Sequence, residues 1–392
     1  MMKVLPYSRQ KIDNKDIDAV TKVLKSDFLT QGSNVEKFEK KISKKVGSKY
    51  GIAVNSATSA LHISCMSIGI KKKDIVWTSA NSFVASINCA KYLDAEVDFI
   101  DIDKDTYNLS IKDLKQKLIV AKKNKKLPKL IIVVHFAGFP CELKEIFKLS
   151  KIYDFKIIED ASHAIGSKYL GSCIGNCQYS DVTVFSFHPV KIITSGEGGM
   201  CLTNNKKLKD RMLLLRSHGI TKENNRFKKK FLNQPWYYEQ QTLGYNYRMS
   251  DIHAALGISQ LKKLDFFIKQ RNIIADNYYK ILNDLPIVLP QKINRCLSSF
   301  HLFVIRINFL KTKKTYKDLF NYLRKSNLWV NLHYLPIYSH PYYKNKFKKI
   351  KYKNMENYYK SAISIPIYPG LTFKNQMYIK RKLEFFFKNE KN

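Results

Sequence analysis

Ser186-Phe187-His188-Pro189-Val190-Lys191-Ile192-Ile193-Thr194-Ser195-Gly196-Glu197-Gly198-Gly199 is the stretch whose reading decides the fold. It separates two apolar runs, 182–185 and 199–202, which read as buried strands joined by a loop of small and hydroxylated residues. One lysine, Lys191, stands near the middle of that loop. Asp160 precedes it by 31 positions and closes another apolar run, in Glu159-Asp160-Ala161-Ser162-His163-Ala164-Ile165-Gly166.

A carboxylate at a strand end, followed by a lysine in a Ser/Gly-rich loop after the next strand, suits pyridoxal phosphate. That cofactor needs a lysine to bond its carbonyl carbon, an acid facing its pyridine nitrogen, and donors for its phosphate. A surface lysine is the blander reading, and the chain is full of them, so the case rests on the other parts occurring in order. Asp160, charged and unpaired, would be costly to bury. A protonated pyridine nitrogen would be its partner, each holding the other charged; the alternatives are a helix cap or a structural ion pair. Lys191 must lose its proton to react, and burial lowers a lysine's pKa towards that task.

Working outward, Asn55-Ser56-Ala57-Thr58-Ser59-Ala60-Leu61 sets small and hydroxylated residues where a strand gives way to a helix. The backbone N–H groups there, with the hydroxyls of Thr58 and Ser59, make a phosphate site, although an isolated example is more often a plain cap. Ser186 offers a further hydroxyl. Phe83 is placed to stack on a cofactor ring, or to be core. His163 would lie near that ring or serve packing.

Further strands are expected at 51–54, 75–77, 97–100, 130–134 and 156–158, and helices at 13–27, 36–46, 57–68 and 250–264. Several strands are apolar without alternation, as when helices cover both faces of a sheet. Ser250 and Asp251 give the last of those helices a cap and a favourable charge. Beyond about residue 262 a long helix leads to a strand (302–307), a helix (315–325) and a strand (328–331). The expectation is therefore an α/β chain with a mostly parallel central sheet covered by helices, residues 1–262, and a smaller α+β domain, residues 263–392. No GxGxxG and no Walker loop occurs.

The chain carries 69 Lys and Arg against 32 Asp and Glu, a net charge of +37. Such a balance invites a nucleic-acid reading. The excess is nearly all lysine spread along the chain, however, and Asn, Ile, Tyr and Phe, which share A/T-rich codons with Lys, are abundant too. The clusters at 71–73, 122–126, 228–230 and 344–351 read as solvated faces. No specific nucleic-acid partner is expected. The longest apolar run, 130–139, contains His135 and falls far short of the roughly 20 residues that span a bilayer. With seven scattered cysteines and no charged-then-apolar leader, a cytoplasmic protein without disulfides is expected. Cys173 and Cys177 lack a second pair at ligand spacing, so no metal is expected.

Taken together, these segments resemble the DegT/StrS family of sugar aminotransferases, pyridoxal-phosphate enzymes of fold type I that work on nucleotide-linked keto sugars. The resemblance extends through Phe28-Leu29-Thr30-Gln31-Gly32, Leu215-Arg216-Ser217-His218-Gly219, Trp236-Tyr237-Tyr238-Glu239 and Leu243-Gly244-Tyr245-Asn246-Tyr247-Arg248. It implies that Lys191 carries the cofactor and Asp160 pairs its pyridine nitrogen. It implies that Thr58, Ser59 and Ser186 hold the phosphate, that Phe83 stacks on the ring, and that Asn246 reaches the phosphate of the other subunit in a homodimer with shared sites. Many relatives carry Gln where His163 stands; a histidine also donates one hydrogen bond, to the cofactor's ring oxygen. His333, Tyr334, Tyr338 and Arg248 are then substrate contacts. The implied reaction moves an amino group from L-glutamate to C4 of a nucleotide-linked 4-keto-6-deoxy sugar for surface glycan synthesis, with a UDP-linked N-acetyl sugar the first choice and perosamine- or bacillosamine-type substrates the alternatives. A dehydratase on this fold replaces the lysine with His, which Lys191 argues against; a non-catalytic, cofactor-binding regulator is the remaining alternative.

Overall fold

The computed structural model describes residues 4–223, 227, 234–347 and 351–388. Its centre is a seven-stranded sheet in the order Tyr50–Val54, Gly199–Thr203, Val182–Ser186, Lys156–Asp160, Leu130–Val134, Ile75–Ser79, Glu96–Ile100. Every strand is parallel to the others except Gly199–Thr203, which pairs antiparallel on both sides. The Lys191 loop explains the exception: it has no crossover helix, so the chain returns beside the strand it left.

The continuous apolar character of the strands is accounted for by two cores, one on each face. Leu130, Ile132 and Ile158 pack into one, while Ile131, Val133 and Ile157 pack into the other. Alternate side chains point to opposite faces, so both faces are dry. Truncating Ile131 or Ile132 to Ala would cost about 2–5 kcal/mol. Helix ends follow the caps in the sequence: Asp13, Ser56, Ser250 and Thr315 each accept a backbone N–H of the helix that follows.

Past the long helix Leu264–Ile281, a three-stranded antiparallel sheet joins Ile287–Val288, Phe303–Ile307 and Ala362–Ile365. Residue 262 is crossed by pairing in both directions. Leu5–Pro6 runs parallel to Leu328–Trp329, and Cys296–Leu297 pairs with Lys168–Tyr169. Behind the junction Arg271 is fully buried. It donates to the carbonyls of Phe300, His301 and Ile367 and to the Ser8 hydroxyl. Burial lowers its pKa to about 9, and with carbonyl acceptors rather than a carboxylate around it, the charge is solvated by dipoles.

The lysines at 71–73 and 122–126 are exposed, as solvated faces should be, while 228–230 and 348–350 lie outside the described residues. All seven cysteines are free thiols. Among the described residues no helix is long and apolar enough to cross a membrane.

Candidate active site

A cleft of about 550 Å³ opens at the carboxyl ends of the parallel strands, the place where open α/β sheets bind ligands. Asp160 ends its strand at the floor of that cleft and is buried. Its carboxylate accepts from the Ser86 hydroxyl at 2.6 Å, from the Ser162 hydroxyl at 2.6 Å and from the Ser162 N–H at 3.1 Å. These donors make a buried charge tolerable. Neighbouring Glu159 points to the other face of the sheet, where His135, Ser180 and Thr183 bind it. The adjacent acids in the sequence thus divide: one is structural, the other faces the cleft.

Lys191 lies across from it on a loop held by its own backbone. Phe187 and Ser195 exchange a bond with the loop's far side, through Phe187 N–H to Gly198 O and Ser195 N–H to Phe187 O, and Thr194 caps the same Phe187 carbonyl. Lys191 is half-buried and lines the cleft. The protein packed around its ammonium nevertheless lowers its pKa to about 8, against an opposing pull from the Asp160 carboxylate. A free amine is therefore accessible near neutral pH.

The cleft is also lined by Ser56, Ala57 and Thr58 at the start of helix Ala57–Ile68, together with Ser186. The first-turn amides of a helix have no partner within it and carry a partial positive charge. The Ser56 hydroxyl caps the Ser59 N–H. The Ser59 hydroxyl turns inward to donate to Asn55 Oδ1. Phe83 forms a wall with 57% of its surface exposed, and its ring centroid is 5.9 Å from that of Tyr334.

The roof gathers His163, His301, His333, Tyr334 and Tyr7. The His163 Nε2 and the Tyr334 hydroxyl are 3.0 Å apart, and the rings of His163 and His301 lie with centroids 4.3 Å apart, tilted by 44°. His333 bonds Ser364 through Nδ1, and Tyr7 meets its ring edge-on at 4.8 Å. Burial and then the Lys191 charge depress the His333 pKa to about 3. Burial likewise keeps His163 and His301 well below the ordinary histidine value. All three are neutral at physiological pH.

The cleft thus brings together Thr58, Phe83, Asp160, His163, Ser186, Lys191, His333 and Tyr334. Ser59, Asn246, Arg248 and Tyr338 are not among its lining residues. Tyr338 donates to Glu356, Arg248 pairs its backbone with Val54 and Asn246 with Ser217. Sequence reasoning missed Ser86, Ser162, Tyr7 and His301. Ser82 lies in the turn before the helix Ala85–Lys91 and its hydroxyl meets that of Ser86 in the first turn, a contact that the spacing in the sequence does not announce. Tyr7 and His301 carry no signal either, because only the pairing of distant segments delivers them.

These residues fit pyridoxal phosphate. The cleft supplies a buried acid with capacity to spare on its open side, a lysine poised to lose its proton, and a capped helix start with hydroxyls beside it. The DegT/DnrJ/EryC1/StrS aminotransferase family matches residues 10–384. The UDP-4-amino-4,6-dideoxy-N-acetyl-beta-L-altrosamine transaminase of Campylobacter jejuni is 40% identical, over 97% of this chain and 96% of its own. GDP-perosamine synthase of Escherichia coli O157:H7 is 31% identical over 99% of this chain and 100% of its own. The solved structure of Helicobacter pylori PseC, an aminotransferase involved in the biosynthesis of pseudoaminic acid, superposes with a TM-score of 0.88 at 31% identity, covering 98% of this chain and all of that one. With a family match over nearly its whole length and relatives this similar end to end, the chain belongs to the DegT/DnrJ/EryC1/StrS aminotransferase family.

Proposed function

We propose that this enzyme uses pyridoxal phosphate to move the amino group of L-glutamate to C4 of a UDP-linked 4-keto-6-deoxy-N-acetyl sugar, for surface glycan synthesis. The observation that carries the reading is the Lys191 amine, its pKa lowered to about 8, facing the buried Asp160 carboxylate across one cleft. The substrate class rests on the printed activity of the Campylobacter relative and on the pathway named for the Helicobacter structure.

In this reading Thr58, Ser186 and the first-turn amides of helix Ala57–Ile68 hold the phosphate, with Ser59 supporting them through Asn55. Phe83 covers one face of the ring. Asp160, itself fixed by Ser86 and Ser162, pairs the pyridine nitrogen. When bound, the cofactor supplies the electron sink that makes the donor carbon acidic. Lys191 is the base that takes the proton from one carbon and returns it to another, a task matched to a pKa near the working pH. His333 and Tyr334, which line the same cleft as Lys191, contact the sugar in this reading. Tyr338 and Arg248 do not line the cleft of the single chain.

The same reading makes the enzyme a homodimer. Asn246 is exposed on its own subunit, as are Leu243 at 72% and Trp236 at 74% in the same stretch of chain; a second copy covering this stretch would bring Asn246 to the phosphate. Free thiols agree with a cytoplasmic location. Residues 1–262 form the cofactor domain and 263–392 the smaller one, tied together by the pairings across residue 262. The test is to supply the UDP-4-keto sugar with L-glutamate and follow the mass of the sugar and the release of 2-oxoglutarate. A 4-amino sugar formed in equal amount to 2-oxoglutarate is expected. Release of ammonia, or loss of water from the sugar without amination, would contradict it.

A further inference from the structure

Ser82 stands in the turn after strand Ile75–Ser79, and Ser86 in the first turn of helix Ala85–Lys91, with Phe83 between them in the sequence. Both serines border the cleft, and both are buried. Their hydroxyl oxygens are 2.5 Å apart, and Ser86 Oγ is 2.6 Å from Asp160 Oδ2. Each hydroxyl has one hydrogen to give, and an ionised carboxylate only accepts. The Ser86 hydrogen therefore points to Asp160. Two oxygens 2.5 Å apart with no hydrogen between them would repel, so the hydrogen between the serines is that of Ser82. The other acceptor near Ser82 is the Phe83 carbonyl, farther off at 3.2 Å. The donors run in one direction, from Ser82 to Ser86 to Asp160.

A hydroxyl whose oxygen accepts a hydrogen bond becomes the better donor, and the more so away from water. Ser162 holds Oδ1 of the acid through its N–H and its hydroxyl. Among the described residues Ser86 is the donor to Oδ2, reaching it across 74 positions of sequence. The Ser86 N–H in turn donates to the Phe83 carbonyl at 3.1 Å. The short segment 82–86 thus carries an aromatic wall of the cleft and the support of its acid together.

Resting on the pyridoxal-phosphate reading, we infer that Ser82 is a positioning residue for Asp160: through Ser86 it fixes the carboxylate and favours its negative charge opposite the pyridine nitrogen. The nitrogen keeps its proton best while the acid facing it stays an anion, and each donor on the acid favours the anion. The Ser82 hydrogen is committed to Ser86, so its effect on the cofactor passes through the acid.

The test titrates apo protein with pyridoxal phosphate and with its 1-deaza analogue, in which a C–H replaces the ring nitrogen. Wild type should favour pyridoxal phosphate, since only that ring pairs with Asp160. Ser82→Ala should weaken pyridoxal phosphate about three- to fivefold and leave the analogue's affinity unchanged. Adding Ser82→Ala to Ser86→Ala should cost nothing further, because the link is already cut. Ser82→Thr, which keeps the hydroxyl, should restore the affinity. The nitrogen-15 shift of ring-labelled cofactor should move towards its unprotonated value in Ser82→Ala. Equal losses for the two ligands would make Ser82 merely structural and overturn the inference. So would no loss for either, losses that add in the double variant, or an unmoved nitrogen-15 shift. Wild-type protein that holds both ligands equally would defeat the pairing of Asp160 with the ring nitrogen and the relay with it, a result distinct from failure of the relay alone.

Discussion

A Cβ on Gly199 would stand 2.5 Å from the carbonyl carbon and oxygen of Ser56 and 2.6 Å from the Ala57 nitrogen. The strand leaving the Lys191 loop therefore runs in backbone contact with the cap of the helix that faces the cleft. The two ends of the site share one joint, and only glycine fits it. Gly199→Ala should force that joint apart, costing about 1–3 kcal/mol and weakening cofactor binding together with stability. Thermal melting with and without pyridoxal phosphate checks it; a variant as stable and as tightly loaded as wild type would show the contact to be slack.

Lys191→Ala should lower turnover by on the order of 10³-fold or more, since the proton carrier is gone, while the phosphate contacts remain and cofactor still binds without a covalent link. Steady-state rates and dialysis of the bound cofactor read the two effects. Residual turnover within tenfold of wild type would refute the role.

The pKa of Lys191 makes a pH prediction with a definite sign. In the unfolded chain the lysine titrates near 10.5 and in the folded one near 8. Between those values the unfolded state holds more protons, so the stability of the apo protein rises with pH across that window. Below about 8 the deficit is fully present, and above about 10.5 it has vanished. Capture of pyridoxal phosphate by apo protein should accelerate with a midpoint near 8. Asp160→Asn removes the opposing pull and should move that midpoint lower. A midpoint unshifted from 10.5 would mean that the ammonium is solvated.

Ser86→Ala takes one donor from the Asp160 carboxylate, a charge-assisted bond of about 1.5–3 kcal/mol. Cofactor affinity should fall roughly tenfold, with a smaller loss in Ser162→Ala, which keeps the Ser162 N–H donor. Equilibrium titration of cofactor into each variant checks the order. Equal, negligible losses would leave Asp160 held by something else.

Mixed dimers test the sharing of sites. Asn246→Ala and Lys191→Ala subunits, each impaired alone, should recover about a quarter of wild-type activity after exchange if each site draws on both chains. Confirmed exchange without recovery would place Asn246 outside the neighbour's site.

Much of this was legible before the fold. Asp160 ends a strand and Lys191 stands in the loop between two more, and the strands announce themselves by unbroken apolar runs, so the sheet and the places of both charged residues on it followed. The capped helix start at Ser56 followed from its residue types. Direction was harder to read: Ser59 is one residue from Thr58 yet turns inward to Asn55, because successive helical side chains diverge by about 100°. Tyr338 left the cleft for Glu356 although Tyr334 stayed in it. The antiparallel run of Gly199–Thr203 depends on loop length, not on strand composition. Tyr7 and His301 reach the site through pairings that span most of the chain, which no local pattern encodes.

The most direct test of the central claim is an absorbance spectrum of the protein with pyridoxal phosphate, before and after L-glutamate. The account predicts a visible band that wild type forms and Lys191→Ala does not, lost on adding glutamate with one 2-oxoglutarate released per site. A band that ignores glutamate would contradict the aminotransferase reading, and no band at all would remove the cofactor from the cleft.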